Sequence, residues 1–473
     1  MIETDYLVVG AGMAGMVFVD EMLTHSEARM VMVDRRPRAG GHWNEAYPFV
    51  RLHQPSVYYG AGSRELGARR IETEGPNAGL FQQASGTEIT AYFDQLMRER
   101  LLPSGRVRFL SLSDYVGNWS TDHRVVSRVT GEQTVVKARK VVDTTFYQVS
   151  TPATHTPAFE VGDGVLLIPP GALPAVIAPR QRYVVLGGGK TSMDVIVWLL
   201  EQGVREQAVT WVVPRDSWLV NRETAQPGEE GLLRMVRSQR DRLHAAAHAS
   251  SLDDLYDRLE TAGELLRVDR TVRPRMFHGA TISPGELGLL RRVKDVVRAG
   301  HVQRIERGMM MLDTDSRPAV PDAVYVDCTA RGISWGPTRP VFDRERITPQ
   351  IIRDGRFSFS AAAIAYVEAT VGDTARKNVL CTPIPYEEHL ITLPRSLLTE
   401  FRNGAAWACE PALRNWARNH RLAGFGTARD ARAAASLRHL RDEIGSLRPH
   451  AEMNLAGLIA AHDTERGALR RVS

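Results

Sequence analysis

The 473-residue sequence predicts an α/β fold of two Rossmann-like dinucleotide-binding domains, the second inserted in the first, followed by a C-terminal helical extension. Three observations predict it: a strand, glycine turn and helix at the start of the chain, a second such unit beginning at Arg182, and an Ala- and Arg-rich stretch from about Pro385 to Ser473.

The first unit opens with the apolar run Tyr6 to Val9, passes into Gly10-Ala-Gly12-Met-Ala-Gly15, and continues as a helical pattern from Met13 to about Thr24. A second apolar run, Met30 to Val33, ends at Asp34, followed by Arg35. Each residue type has a reason to stand where it does. Gly10 permits the tight turn, Gly12 lets backbone amides approach a pyrophosphate, and Gly15 allows the helix to pack closely on the strand. The helix start carries partial positive charge for the phosphates, and an acid at the end of the second strand accepts hydrogen bonds from ribose hydroxyls.

The second unit runs from Arg182 through Gly187-Gly-Gly189-Lys190-Thr191-Ser192 into an apolar helix, Met193 to about Glu201. A nucleoside-triphosphate loop is not expected, because that pattern needs glycine where Val184 lies within the strand. Ser192 takes the place of the third glycine and is still small enough for close packing. The next strand, Val209 to Val213, ends in Pro214-Arg215 rather than an acid. A cation there suits the 2′-phosphate of NADP, so Arg215, with Arg222 as a helper, points to NADPH. Two dinucleotide units in one chain imply two cofactors in electronic contact, and the usual pair is FAD with a nicotinamide.

Strands closing each sheet are expected at Lys140–Thr145 and Ala323–Thr329, with a Thr/Pro-rich linker over Ser150–Pro157 between the halves. The expected division is therefore 1–150 for the first part of the FAD domain and 151–325 for the NADPH domain, with a helical insertion at about 223–290. Residues 326–375 return to the FAD domain, and 376–473 form the mostly helical extension.

Composition narrows the function. Lys and Arg number 60 against 55 Asp and Glu, a net charge of +5, which suits a phosphate-bearing cofactor and is too thin for nucleic acid. The three cysteines lie far apart, so neither a CxxC pair nor a zinc spacing exists, and no metal is expected. His244 and His248 share a helix face without a nearby HExxH acid, and read as surface residues. The basic residues Arg414, Arg418, Arg421, Arg429 and Arg432 read as a solvated or interfacial face. No apolar run reaches the roughly 18 residues of a membrane span. Glu3 and Asp5 occupy the place where a signal peptide needs positive charge. A cytoplasmic protein is expected, and a homodimer is left open.

With these motifs in place, about residues 1–375 resemble the class B flavin monooxygenases, the flavin-containing, N-hydroxylating and Baeyer–Villiger enzymes. Gly40-Gly41-His42-Trp43 stands where this family carries Gly-Gly-x-Trp beside the flavin. Tyr47-Pro-Phe-Val-Arg51-Leu-His53-Gln54-Pro-Ser56 looks like the stretch in which Baeyer–Villiger enzymes have an Asp at the position of His53. Gln54 stands near the place of an Asn in the flavin-containing branch. The family fingerprint between the halves is matched only at His155 and Phe159, the positions of its leading Phe and Gly holding Val149 and Thr151.

The resemblance implies an FAD- and NADPH-dependent monooxygenase that oxygenates a small molecule with O2 through a C4a-peroxyflavin. Nitrogen or sulfur oxygenation is preferred slightly over Baeyer–Villiger insertion because of His53. It makes Arg51, His53 and Gln54 the catalytic candidates, places Gly41, His42 and Trp43 beside the flavin, and puts the amides of Phe359 and Ser360 at its pyrimidine edge. An NADPH-dependent flavin reductase, an amine oxidase and a non-catalytic flavin-binding protein are the alternatives.

Overall fold

The computed structural model describes every residue except 177, 179, 425–430 and 473. Arg429 therefore lies outside the described residues. The first glycine unit forms as its sequence dictates: β1 (Ile2–Val9), α1 (Met13–His25) and β2 (Met30–Val33) pair in parallel. The sheet is completed by β3 (Val107–Leu110), β4 (Ser113–Tyr115), β5 (Arg124–Ser127) and β6 (Gln133–Asp143), in the order β3-β2-β1-β6-β5-β4. The first four of these are parallel, whereas β4, β5 and β6 form an antiparallel meander. The second half of β1, Tyr6 to Val9, and all of β2 are apolar and buried because both faces of a parallel sheet are covered there. Helices α1 and α7 (Phe357–Thr370) pack together under it, around a core that includes Phe18, Phe93 and Phe359. Strand β21 (Arg346–Ile347) adds to β6, bringing the chain back to the first sheet.

Between β6 and β21 lies the second domain. Its parallel sheet runs β15-β11-β10-β19-β9, formed by β9 (Leu166–Ile168), β10 (Arg182–Leu186), β11 (Val209–Val212), β15 (Asp295–Val297) and β19 (Ala323–Asp327). Helix α3 (Lys190–Glu201) follows the second glycine turn. A four-stranded sheet of β8 (Glu160–Val161), β16 (Val302–Ile305), β17 (Met309–Leu312) and β18 (Ser316–Pro318) covers one side. The chain crosses between the domains twice, and the crossings pair as the antiparallel strands β7 (Gln148–Ser150) and β20 (Gly332–Ser334).

The stretch expected as a helical insertion is mixed. It carries α4 (Gly228–His248), α5 (Leu252–Thr261) and α6 (Pro284–Leu290), together with a small sheet of β12 (Ser217–Asn221), β13 (Leu265–Leu266) and β14 (Met276–Ile282). The extension consists of α8 (Thr374–Leu380), α9 (Thr392–Ala408), α10 (Pro411–Asn419) and α11 (Ala431–Val472). Helices α9 and α11 do not stand apart: with α4 and α5 they share a core that includes Trp218, Tyr256 and Phe401. Among the described residues, no helix is long and apolar enough to cross a membrane, and no group of His, Cys, Asp and Glu is arranged to hold a metal ion.

Candidate functional site: two glycine turns and one shared cavity

The two glycine turns repeat each other bond for bond. Gly10 N donates to Val33 O at 2.8 Å, and Gly187 N donates to Val212 O at 2.9 Å. The closing strands bring Thr144 under the first turn and Cys328 under the second. A Cβ on Gly10 would lie 2.5 Å from Thr144 Oγ1, and one on Gly187 would lie 2.7 Å from Cys328 O. Both glycines have positive φ, +103° and +120°, so glycine is required twice over. Asp143 Oδ1 accepts from Thr145 N at 3.1 Å, and Asp327 Oδ1 accepts from Thr329 N at 2.9 Å, which ends both closing strands alike.

This correspondence fixes what differs. Asp34 follows Val33 and is buried, accepting from Ala11 N at 2.7 Å and from Arg36 N at 2.8 Å. Its counterpart after Val212 is the apolar, buried Val213, and Arg215 then takes the place of Arg36. Arg36 is held by Glu45 at 2.6 Å, whereas the exposed Arg215 side chain has no carboxylate within 4 Å among the described residues. Arg35 is exposed and pairs with Asp114 at 3.5 Å.

Around the first turn, a Cβ built on Gly12 would meet only the backbone of Gly41, at 3.5 Å, and one on Gly41 would meet Gly12 Cα at 3.0 Å. The two glycines therefore form a strip of bare backbone, the kind of surface a pyrophosphate needs. Gly15 lies beneath it, where a Cβ would reach within 2.1 Å of Gly10 O. His42 is packed on Trp43 at 5.1 Å between ring centroids, and burial together with the Arg36 charge lowers its pKa to about 4. Trp43 Nε1 donates to the Tyr59 hydroxyl at 2.7 Å, and Gly60 N donates to Ser358 Oγ at 3.2 Å. These bonds tie the first turn's loop to the start of α7.

A cavity of ≈ 1090 Å³ begins where that connection ends. It is lined by residues 53–55 and Tyr58 of the first domain, residues 186–191 of the second glycine turn, residues 328–333, and residues 352–357 leading into α7. Leu393, Leu397, Phe401, Trp407 and Arg448 of the extension close its far side. His53, Gln54, Gly187, Gly189, Lys190, Thr191 and Arg215 thus share one cavity.

His53 faces the cavity while protein surrounds it, and burial with the Lys190 charge lowers its pKa to about 4, so it is neutral at pH 7. Gln54 Nε2 donates to Tyr58 O at 3.3 Å. Gly189 caps α3, and a Cβ there would meet nothing within 4 Å. Lys190 is held by Asp194 one turn on, and Asp194 also accepts from the Tyr47 hydroxyl at 2.7 Å, which joins α3 to the first domain. His155 Nε2 lies 3.1 Å from Thr329 Oγ1 in the cavity wall.

Several expectations are corrected. Arg51 points to the surface, 54% exposed and paired with Glu72 at 3.2 Å, outside the cavity wall. Arg222 stands in the cavity wall but is buried, and its guanidinium donates to His53 O at 3.1 Å, Asn77 Oδ1 at 2.6 Å, Thr281 O at 3.2 Å and Glu286 Oε2 at 3.0 Å, which engages four of its five N–H groups within the protein. Ser360 N donates to Arg356 O at 2.9 Å, so its amide is spent inside α7, which starts at Phe357. The ring of Phe359 is buried and stacked on Trp416 at 5.6 Å, which does not bear on the place expected for its amide. Ser192, by contrast, keeps the close packing expected of it, buried with its hydroxyl donating to Gly189 O at 2.6 Å. Arg421 is a clamp rather than part of a solvated face, donating to Val57 O at 2.7 Å, Tyr59 O at 3.1 Å and Ala61 O at 2.9 Å. No local pattern foretold the cavity's other polar groups, among them Arg356, Glu400 and Tyr386, because the extension that gathers them lacks a motif.

Fold and turns define a chain of two parallel α/β sheets, each opening on a strand, glycine turn and helix. An uncharacterized protein of Mycobacterium tuberculosis (strain ATCC 25618 / H37Rv) is 47% identical over 421 residues, covering 89% of this chain and 78% of that protein. An uncharacterized protein of Mycobacterium bovis (strain ATCC BAA-935 / AF2122/97) matches to the same 47% over 421 residues, 89% of this chain and 78% of its own. The chain belongs to the family of these mycobacterial proteins. No family model matches it.

Among solved structures, the polycyclic ketone monooxygenase of the thermophilic fungus Thermothelomyces thermophila is similar at 11% identity and TM-score 0.49, over 94% of this chain and 88% of that one. A flavin-containing monooxygenase from Stenotrophomonas maltophilia is similar at 16% identity and TM-score 0.41, over 88% and 99%. The bacillithiol disulfide reductase of Bacillus cereus is similar at 12% identity and TM-score 0.45, over 78% and 100%.

Proposed function

We propose that this protein is an FAD- and NADPH-dependent monooxygenase acting on a small molecule. The overall reaction joins substrate, O2, NADPH and a proton to give oxygenated substrate, water and NADP+. The observation that carries the reading is the single cavity, which opens on the second glycine turn and on residues 53–58 and 352–357 of the first domain. A nucleotide bound at one turn and a group extending from the other would meet in it. FAD, when bound, supplies the hydride acceptor and the site of oxygen activation.

The chain's own residues supply binding and exclusion of water. The bare strip of Gly12 and Gly41 accommodates a pyrophosphate, and Asp34 keeps lone pairs for a ribose hydroxyl. The amides at Gly189 and the start of α3 receive the second nucleotide's phosphates, and Arg215 its 2′-phosphate. Neutral His53 and the Gln54 amide offer hydrogen bonds without adding charge. A neutral group where Baeyer–Villiger enzymes carry an acid supports nitrogen or sulfur oxygenation. A disulfide reductase reading lacks support, because all three cysteines are free and burial pushes the thiols of Cys328 and Cys381 up.

The test begins with the visible spectrum of the purified protein. Retained FAD, reduced by NADPH in preference to NADH and yielding less hydrogen peroxide than NADPH consumed when an amine, sulfide or ketone is added, supports the proposal. Full release of electrons as peroxide with every substrate would support a reductase or oxidase, and FAD without NADPH oxidation would support a binding protein.

A further inference from the structure

The cavity of ≈ 1090 Å³ does not end at the glycine turn but runs on to the side chains of α4, α9 and α11. Its inner end lies between α4, α9, α11 and residues 352–357, away from the glycine turn. Apolar side chains such as Phe277, Leu397 and Phe401 line it, together with Arg242, Arg353, Arg356 and Arg448.

Two of these arginines are matched by acids. Arg242 pairs with Glu264 at 2.7 Å and Arg353 with Glu400 at 3.2 Å. The remaining acid of this end, Asp354, accepts the Tyr386 hydroxyl, and Glu388 acts on His278 toward the other end. Arg356 and Arg448 have no carboxylate within 4 Å among the described residues. Arg356 lies 4.2 Å over the Tyr58 ring with Nη2 3.5 Å from Met235 Sδ, and its buried Nη1 has no acceptor. Arg448 lies 5.9 Å over the Phe401 ring, and its buried Nε has no acceptor.

A guanidinium nitrogen buried without an acceptor is costly, and a wall that holds one on each of two partly buried arginines is completed when a ligand brings the acceptor. Helix α7 starts directly after Arg356 and adds its positive end. The arginines of this end outnumber its acids by one, which matches a single negative charge, and the apolar lining matches a hydrocarbon body.

We infer that the inner chamber takes an amphipathic organic anion, a carboxylate on an apolar body, with Arg356 and Arg448 as its counter-ions. The inference rests on the oxygenase reading only in making that anion the substrate.

Calorimetric titration of the protein as purified, with decanoate and separately with decanamide, tests it. Decanoate should bind roughly tenfold or more tightly than decanamide. R356Q and, independently, R448Q should each remove most of that preference while leaving decanamide unchanged, so the failure of one variant to fold leaves the other decisive. R215A should weaken NADPH and leave decanoate unaffected. Equal binding of the two probes by the wild type would overturn the inference, as would a preference that survives in both R356Q and R448Q. A preference lost in R215A would place the anion at the nucleotide end instead. A lower flavin potential in R356Q with decanoate affinity intact would assign Arg356 to the flavin and overturn its role here. FAD content is read on the same samples: protein without FAD that still prefers decanoate keeps this inference and defeats the oxygenase reading.

Discussion

Arg222 Nε donates to the carbonyl oxygen of His53 at 3.1 Å, so a fully buried cation of the second domain holds the cavity-facing segment of the first. Its other bonds, to Glu286 and Asn77, make the same side chain a junction of three segments. Removing it leaves Glu286 buried without its partner. Arg222→Met should lower the free energy of unfolding by about 3–5 kcal/mol in urea titration. The double variant R222M/E286M should recover part of that loss, because no unpaired charge then stays inside.

Stability should fall with acid in two stages. Burial lowers His42 from 6.5 to about 4, so the unfolded chain binds more protons in that interval, and stability is lost as pH drops from about 6.5 toward 4. Glu21 and Glu286 are carboxylates whose burial opposes ionisation, yet partners hold both down from 4.5 to about 2: hydrogen bonds from His25 and His420 for Glu21, the charges of Lys190 and Arg222 for Glu286. Their contribution is complete above about pH 4.5 and lost as pH falls toward 2. Urea midpoints measured across this range should show both stages, and the first should shrink in H42Q.

Gly187 and Gly189 should behave differently although they are two residues apart. A Cβ at Gly189 meets nothing, whereas one at Gly187 meets Cys328 O at 2.7 Å on a backbone with φ +120°. Gly189→Val should keep the melting temperature and weaken NADPH binding by blocking the approach to the start of α3. Gly187→Val should lose several degrees. Thermal melts beside NADPH titrations decide it.

Arg215 should govern nucleotide choice alone. Arg215→Ala should reduce the preference for NADPH over NADH by roughly tenfold or more, with no change in melting temperature, since its side chain holds no ion pair to lose. Steady-state KM values for the two nucleotides measure this, and an unchanged ratio would remove the residue from the site.

Arg421 reaches across from the extension to the carbonyl groups of residues 57–64, including Arg64 O at 2.5 Å. Arg421→Ala leaves these acceptors without their donor. It should cost at least about 2 kcal/mol, and hydrogen exchange should quicken at residues 57–64 first.

Much of this protein was legible in its sequence because the signals were local. Gly10, Gly12 and Asp34, like Gly187, Gly189 and Arg215, stand within single strand–turn–helix units, where steric need and charge at a strand end act over a few residues. That determined two parallel sheets and their glycine turns. The tertiary structure decided the rest. Arg51 and Arg222 were indistinguishable from Arg215 as isolated arginines; packing sent one to the surface, locked one in the interior and left one free at the cavity. The extension gave no motif, because its work is to bury Leu397, Phe401 and Trp407 against distant segments and to bring Arg448 and Arg421 to partners far away in the chain. Contacts made across such separations depend on which faces meet after folding, and no local pattern records them.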